Sequence, residues 1–162
     1  RAEDCPEGLD DSKALSARRR AMLEAEIKAR ALCWGLGVAS VEEIDRINIL
    51  WATMLAMTRA VEALGRDCQH VLVDGNRCPD WPHASSAIVG GDAKSLSIAA
   101  ASILAKEARD RMMREAAAIH PHYGWESNKG YGSAQHLAAL RTHGPTPLHR
   151  RSFAPVAQML LI

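Results

Sequence analysis

The segment Val71-Leu72-Val73-Asp74-Gly75 constrains the fold more than any other, because a short apolar run ends there on a carboxylate and a glycine. Three apolar residues, two of them β-branched, predict a strand that can be buried on both faces. Asp74 falls where that strand stops, and Gly75 lets the chain turn sharply. In open α/β sheets, ligands bind beyond the carboxyl ends of the strands. The pattern returns at Ala87-Ile88-Val89-Gly90-Gly91-Asp92, ahead of a long helical run. Two aspartates at the ends of neighbouring strands are the makings of a divalent-metal site.

A chain of 162 residues has the length of one ordinary domain and can bury a core without staples. Its net charge of +1 argues against a massive polybasic surface, but the charge is uneven. Beyond Glu126 there is no acidic residue, while Lys129, Arg141, Arg150 and Arg151 remain, with His136, His143 and His149 between them. Such a basic end suits a nucleic-acid binder and equally suits a solvated tail. Cys5, Cys33, Cys68 and Cys78 form no C-x-x-C pair and show no zinc-ligand spacing, so they predict reduced, mostly packed thiols. No stretch approaches the ~20 apolar residues of a membrane span, and nothing resembles a signal peptide. The expectation is a cytoplasmic protein with no membrane partner.

Local signals divide the chain into elements. Ser16 can cap a helix to about Ala31, with Arg18, Arg19 and Arg20 in its first turn, where cations oppose the helix dipole and suggest a surface role. Leu32 to Val38 reads as a strand, bent at Gly35 or Gly37. Ser40-Val41-Glu42-Glu43 is a capping box, and the helix it opens is closed by Gly65. Strands at 70–74 and 86–89 follow, then a helix from about Ser97 to Ala118, rich in alanine. The segment 119–132 reads as a loop, Ser133 to Thr142 as a short helix, and Pro155 can open a last one. Strands alternating with helices predict an α/β domain with at least part of its sheet parallel. About three strands is few for such a domain.

Each candidate for chemistry has an ordinary alternative. Asp74 is a metal ligand or an Asp-Gly turn residue. Asp92 is a second ligand or a residue placed to meet the positive end of the following helix. Gly90-Gly91-Asp92-Ala93-Lys94-Ser95 lacks the spacing of a Walker phosphate loop, so a nucleoside-triphosphate site is not expected. In Lys129-Gly130-Tyr131-Gly132, an exposed tyrosine can stack on a sugar or base beside a phosphate-binding lysine, or it can pack under the loop. His149-Arg150-Arg151 reads as phosphate contact or surface, and His120 and His122 as loop histidines.

Taken together, these segments resemble bacterial ribonuclease HII. Gly8-Leu9-Asp10-Asp11-Ser12-Lys13-Ala14-Leu15-Ser16, the run from Glu43 to Leu50 and that from Leu72 to Pro79 occur in the family's order. So do Ala99 to Lys106, Lys129-Gly130-Tyr131-Gly132 and Gly144 to Phe153. The resemblance covers essentially the whole chain. It implies an RNase H-like mixed sheet flanked by helices, with a C-terminal helical segment. It also implies a single domain over 1–162 that acts as a monomer.

The implied activity is endonucleolytic cleavage of RNA in RNA–DNA hybrids and at single ribonucleotides in duplex DNA, by two-metal hydrolysis with Mn²⁺ or Mg²⁺. Asp74 and Asp92 match two of the family's four metal-binding carboxylates, and Tyr131 matches the tyrosine that packs on the deoxyribose. Lys13, Asn48, Lys94, Lys106 and Lys129 are candidates for nucleic-acid contacts. The other two carboxylates belong to a D-E-x-G-R-G motif that does not occur here. The resemblance places that motif, with the first two strands, upstream of Arg1. The chain is therefore expected to be N-terminally truncated and inactive as written, with a non-catalytic hybrid-binding fragment as the alternative. Asn128, where the family often has histidine, and Glu107-Ala108 before Arg109-Asp110 are smaller departures.

Overall fold

The computed structural model describes residues 4–159. It has two compact units: one comprises Arg1–Val38 with Met54–Glu107, the other Ala39–Thr53 with Ala108–Ile162. Two helices contribute a part to each unit: α2 (Val41–Glu62) and α3 (Leu96–Ile119).

The first unit contains α1 (Ala17–Arg30) and the strands β1 (Val71–Asp74) and β2 (Ser85–Ile88). Ser16 caps α1, its hydroxyl accepting the Arg19 N–H at 3.2 Å. The strands pair in parallel, with Val71 opposite Ser85 and Asp74 opposite Ile88. Among the described residues this pair is the whole sheet. The connecting segment 75–84 contains no helix, unlike the usual parallel crossover. Val73 is buried but Leu72 is 40% exposed, so β1 covers one face rather than the expected two. Leu23, Ile27, Ile103 and Leu104 form this unit's core, with Leu9, Leu15 and Ala100 packed against it.

The segment 32–38 is not a strand. It does alternate, with Leu32, Trp34, Leu36 and Val38 exposed, but it joins no ladder. Its other face lies against the backbone of α2: a Cβ on Gly37 would come within 1.9 Å of the Ala56 carbonyl, and one on Gly35 within 2.7 Å of the Ala60 carbonyl. The two glycines therefore admit a helix rather than bend a strand. Arg59 donates to the Val38 carbonyl at 2.7 Å and holds the segment's end.

Arg20 corrects the reading of Arg18, Arg19 and Arg20 as a surface run, because it is 8% exposed and pairs with Glu107, itself 6% exposed. Its Nε donates to Glu107 Oε1 at 2.8 Å, and Nη1 donates to the carbonyls of Ser12 (3.2 Å) and Leu15 (2.7 Å). The buried Ser12 hydroxyl meets that of Ser102 at 2.9 Å. One guanidinium thereby ties the 12–15 segment to α1 and α3.

The second unit begins with the expected capping box. The Glu43 N–H donates to Ser40 Oγ (3.2 Å), and the Ser40 N–H donates to Glu43 Oε2 (2.8 Å). The helix does not run unbroken to Gly65, because Asn48 takes φ 65° and ψ 167°. Its Oδ1 accepts the N–H groups of Leu50 (2.9 Å) and Trp51 (3.3 Å), so Asn48 caps a second helical run. The Asp45 carboxylate accepts the N–H groups of Arg151 and Ser152 at 2.8 and 2.9 Å, fixing the C-terminal segment. The 119–132 segment is more ordered than a loop, holding a 3₁₀ turn at Pro121–Tyr123 and the single-turn α4 (Trp125–Asn128). Then come α5 (Ala134–His143), capped by Ser133, and α6 (Ala154–Met159). Tyr123, Trp125, Ala139, Leu140 and Val156 form the core.

Removing Glu107 takes away the acceptor of the buried Arg20 Nε–H. Glu107→Ala is expected to cost about 3–5 kcal/mol of stability, read as a lowered urea midpoint. The apolar pair Arg20→Met with Glu107→Leu should cost less than Glu107→Ala, although the carbonyls of Ser12 and Leu15 lose their donor.

Candidate functional site

In the first unit, β1 delivers Asp74 to the carboxyl end of the parallel pair. Asp74 is exposed, and its Oδ1 accepts the Gly91 N–H at 2.9 Å. Gly91 opens the 3₁₀ turn Gly91–Ala93 that carries Asp92, so the aspartate-bearing strand end meets the aspartate-bearing turn. A Cβ on Gly91 would come within 2.5 Å of Ile98 Cδ1 and 3.4 Å of Asp74 Oδ1, which explains glycine at this approach. Asp92 is half-buried, and its Oδ1 accepts the neighbouring Ala93 N–H at 3.0 Å. Lys94 folds back, its ammonium donating to the Val89 carbonyl at 2.6 Å. Lys13 is exposed and Lys106 half-buried in the same unit.

These donors fit a hard divalent cation in kind. Carboxylate oxygens suit Mg²⁺ or Mn²⁺, which take roughly six oxygen ligands and keep several waters or substrate oxygens among them. Among the described residues, no three His, Cys, Asp or Glu side chains come together as a metal site. Asp74 and Asp92 thus offer a partial, all-oxygen set. Cys5, Cys33, Cys68 and Cys78 form no disulfide and are only half-buried, less packed than expected from the sequence.

In the second unit, Asn48, Lys129 and Tyr131 are placed by irregular backbone. Asn48 is exposed while its Oδ1 caps the helix, and the Lys129 ammonium turns back to the Glu126 carbonyl. Lys129 adopts φ 50° and Gly130 φ 83°, a tight reversal that presents Tyr131 at 67% exposure. The tyrosine is therefore not packed under its loop. Asn128, noticed in the sequence only as a departure, builds this reversal. Its Oδ1 accepts the Gly130 N–H at 2.9 Å, its Nδ2 donates to the Tyr123 carbonyl at 2.7 Å, and its carbonyl accepts the Tyr131 N–H at 2.9 Å. Arg109 carries no signal in the sequence, yet its guanidinium lies 5.8 Å from the centre of the Tyr131 ring and donates to the Lys129 carbonyl at 3.1 Å.

Two histidines of the basic end are not on the surface at all. His136 and His149 are each 6% exposed, with Nε2 atoms 3.1 Å apart, among Tyr123 and Trp125. His149 is thus neither a phosphate contact nor a surface group. Burial pushes its imidazole down from 6.5 to about 4, with the neighbouring His136 adding to the effect.

The parallel strand pair among helices makes this an α/β protein, and the fold comparison places it in the RNase H-like class. The solved ribonuclease H2 from Pyrococcus horikoshii OT3 has the same fold, with a TM-score of 0.75 at 21% identity over 94% of this chain and 80% of that one. The family model described as Ribonuclease HII matches residues 6–156, across both units. "Ribonuclease HII" of Sphingopyxis alaskensis is 68% identical over 155 residues, 96% of this chain and 78% of that relative. "Ribonuclease HII" of Novosphingobium aromaticivorans is 62% identical over 168 residues, 97% and 85% respectively. The chain belongs to the ribonuclease HII family, a family of hydrolases.

The depressed His149 basicity has a defined consequence for stability. Above pH 6.5 the proton is absent from both folded and unfolded chains; between 6.5 and about 4 the unfolded chain binds it and the folded chain does not. Stability is therefore lost as pH falls through that window and levels off below it. Thermal midpoints of wild type and His149→Gln across this range should converge toward the acid end.

Proposed function

We propose that the chain carries an endoribonuclease site acting on the RNA strand of RNA–DNA hybrids and at single ribonucleotides in duplex DNA. In this reading it works as a cytoplasmic monomer with Mg²⁺ or Mn²⁺ at Asp74 and Asp92. The observation that carries the reading is the Asp74 Oδ1 contact to the Gly91 N–H at 2.9 Å, which joins the aspartate-bearing end of β1 to the aspartate-bearing turn beyond β2. Divalent ions, when bound, supply neutralisation of the charge that builds on the entering and leaving oxygens of a phosphodiester. The chain's own work is to hold its carboxylates in place: Gly91 orients Asp74, and the turn closed by Lys94 N–H to the Gly91 carbonyl (3.0 Å) carries Asp92. Tyr131 supplies a face for a sugar or base, and Lys13, Asn48, Lys94, Lys106 and Lys129 are the candidates for phosphate or sugar contacts. Among the described residues, no helix is long and apolar enough to cross a membrane.

A second reading, hybrid binding without cleavage, is favoured by one observation. Among the described residues, no three His, Cys, Asp or Glu side chains come together as a metal site.

Incision of a labelled RNA–DNA hybrid by the purified protein in Mn²⁺, read beside hybrid binding in Ca²⁺, separates these readings. Asp74→Asn is expected to lower incision by about a hundredfold or more, the scale of losing a group that stabilises transition-state charge, while binding persists. Binding with no incision by the wild type agrees with the inactivity expected from the sequence and supports the binder as the description of this chain. Incision indifferent to Asp74→Asn removes Asp74 from the site.

A further inference from the structure

The hydrogen-bond directions around His136 and His149 resolve into a single pattern. The Thr146 N–H can only donate, and it points at His149 Nδ1 from 2.9 Å. His149 Nδ1 must therefore be the lone-pair nitrogen, which leaves its proton on Nε2. At the other end, His136 Nδ1 lies 2.9 Å from the Tyr131 carbonyl, which can only accept, so Nδ1 carries the His136 proton. His136 Nε2 is then an acceptor. It receives the Trp125 indole N–H at 3.3 Å and the His149 Nε2–H at 3.1 Å. Every bond is satisfied only with both rings neutral, and the chain runs one way, from Thr146 through His149 and His136 to Tyr131.

The terminus of this chain is the backbone of a side chain that stands 67% exposed. The Tyr131 carbonyl also accepts the Ser133 N–H at 2.8 Å, and the Tyr131 N–H is held by Asn128. A buried imidazole pair aimed at one surface loop is an expensive way to fill a core, since apolar side chains would fill it without ordering five polar groups. We propose that His136, backed by His149, is a positioning residue for Tyr131: it fixes the peptide that presents the ring, and its effect on substrate passes through that ring alone. The proposal rests on the reading of Tyr131 as a nucleic-acid contact.

Two amide variants separate positioning from packing. His136→Asn places a donor near the Nδ1 position and can keep the bond to Tyr131, whereas His136→Gln reaches the Nε2 position and cannot. Binding of an RNA–DNA hybrid to the full chain in Ca²⁺ is the readout. Tyr131→Ala should weaken it by roughly tenfold, the scale of one lost stacking contact. His136→Gln should weaken it by about threefold or more, and His136→Asn by much less, as expected when one buried hydrogen bond separates them. Adding His136→Gln to Tyr131→Ala should cost nothing further, because residues acting through one another are not additive.

Equal affinities for the Asn and Gln variants, or a His136→Gln loss that persists without the tyrosine, overturn the positioning role while leaving Tyr131 as a contact. If Tyr131→Ala binds as the wild type does, the contact reading and the positioning role fall together. Nitrogen NMR of the wild type tests the pattern without relying on any variant's folding. The expected tautomers at neutral pH are Nδ1–H for His136 and Nε2–H for His149; the reverse pair overturns the proposal.

Discussion

The parallel pairing of β1 with β2 is the constraint from which the carboxylate site follows. Its register sets Asp74 opposite Ile88, and the ladder extends one step further through the Gly75 N–H to the Ile88 carbonyl at 3.0 Å. Both strands therefore end at the same level, and the turns that leave them must pass close together. The Asp74–Gly91 hydrogen bond is the product of that closeness. A slip of one residue would move Asp74 to the other face of its strand and leave the Gly91 N–H without it. The same slip would also turn Val73 out of the core. Burial of one valine and placement of one carboxylate are thus a single structural fact.

The second unit reaches a comparable result without a sheet. Its core is aromatic and imidazole, with Tyr123 and Trp125 stacked at 5.0 Å between ring centres. Aromatic rings contribute a large buried area per residue, but the polar atoms on them demand partners. The Trp125 indole finds His136, and the Tyr123 hydroxyl donates to the Gly144 carbonyl at 2.7 Å. Satisfying those atoms is what carries order from the core outward, to the loop at Lys129 and Tyr131 and to the turn at Gly144.

What could be read in the sequence was local. The Ser16 and Ser40 caps were legible because each bonds an N–H three residues on, and the spacing is visible in the letters. The two strands were legible as short apolar runs that end in Asp-Gly and Gly-Gly, but the parallel sense of their pairing was not, since it rests on no intervening helix. What escaped was set by partners far along the chain. Arg20 looks like one of three surface cations until Glu107 arrives from α3. The alternation of Leu32 to Val38 reports a covered face and an open one, but not what covers it, and here a helix backbone does so through Gly35 and Gly37. His136 and His149 looked like members of a basic end for the same reason. Asp74 and Asp92 were legible as a pair, and the Asn128 and Arg109 support of Tyr131 was not.

A common device places Asp74 and Tyr131. Asp74 is oriented by a backbone N–H that takes one of its oxygens, and the side chain stays exposed. Tyr131 is oriented through both groups of its own peptide, and its ring stays exposed. Holding such a group by side-chain packing would bury its polar atoms or its ring. Holding it by backbone hydrogen bonds leaves those atoms free while still restricting their position. The supporting residues are consequently those with no chemistry of their own: Gly91, which must lack a side chain, and Asn128, which must supply a donor and an acceptor to one turn. A substitution at either position would displace Asp74 or Tyr131 without touching either side chain, because the geometry of the exposed groups is set one hydrogen bond behind them.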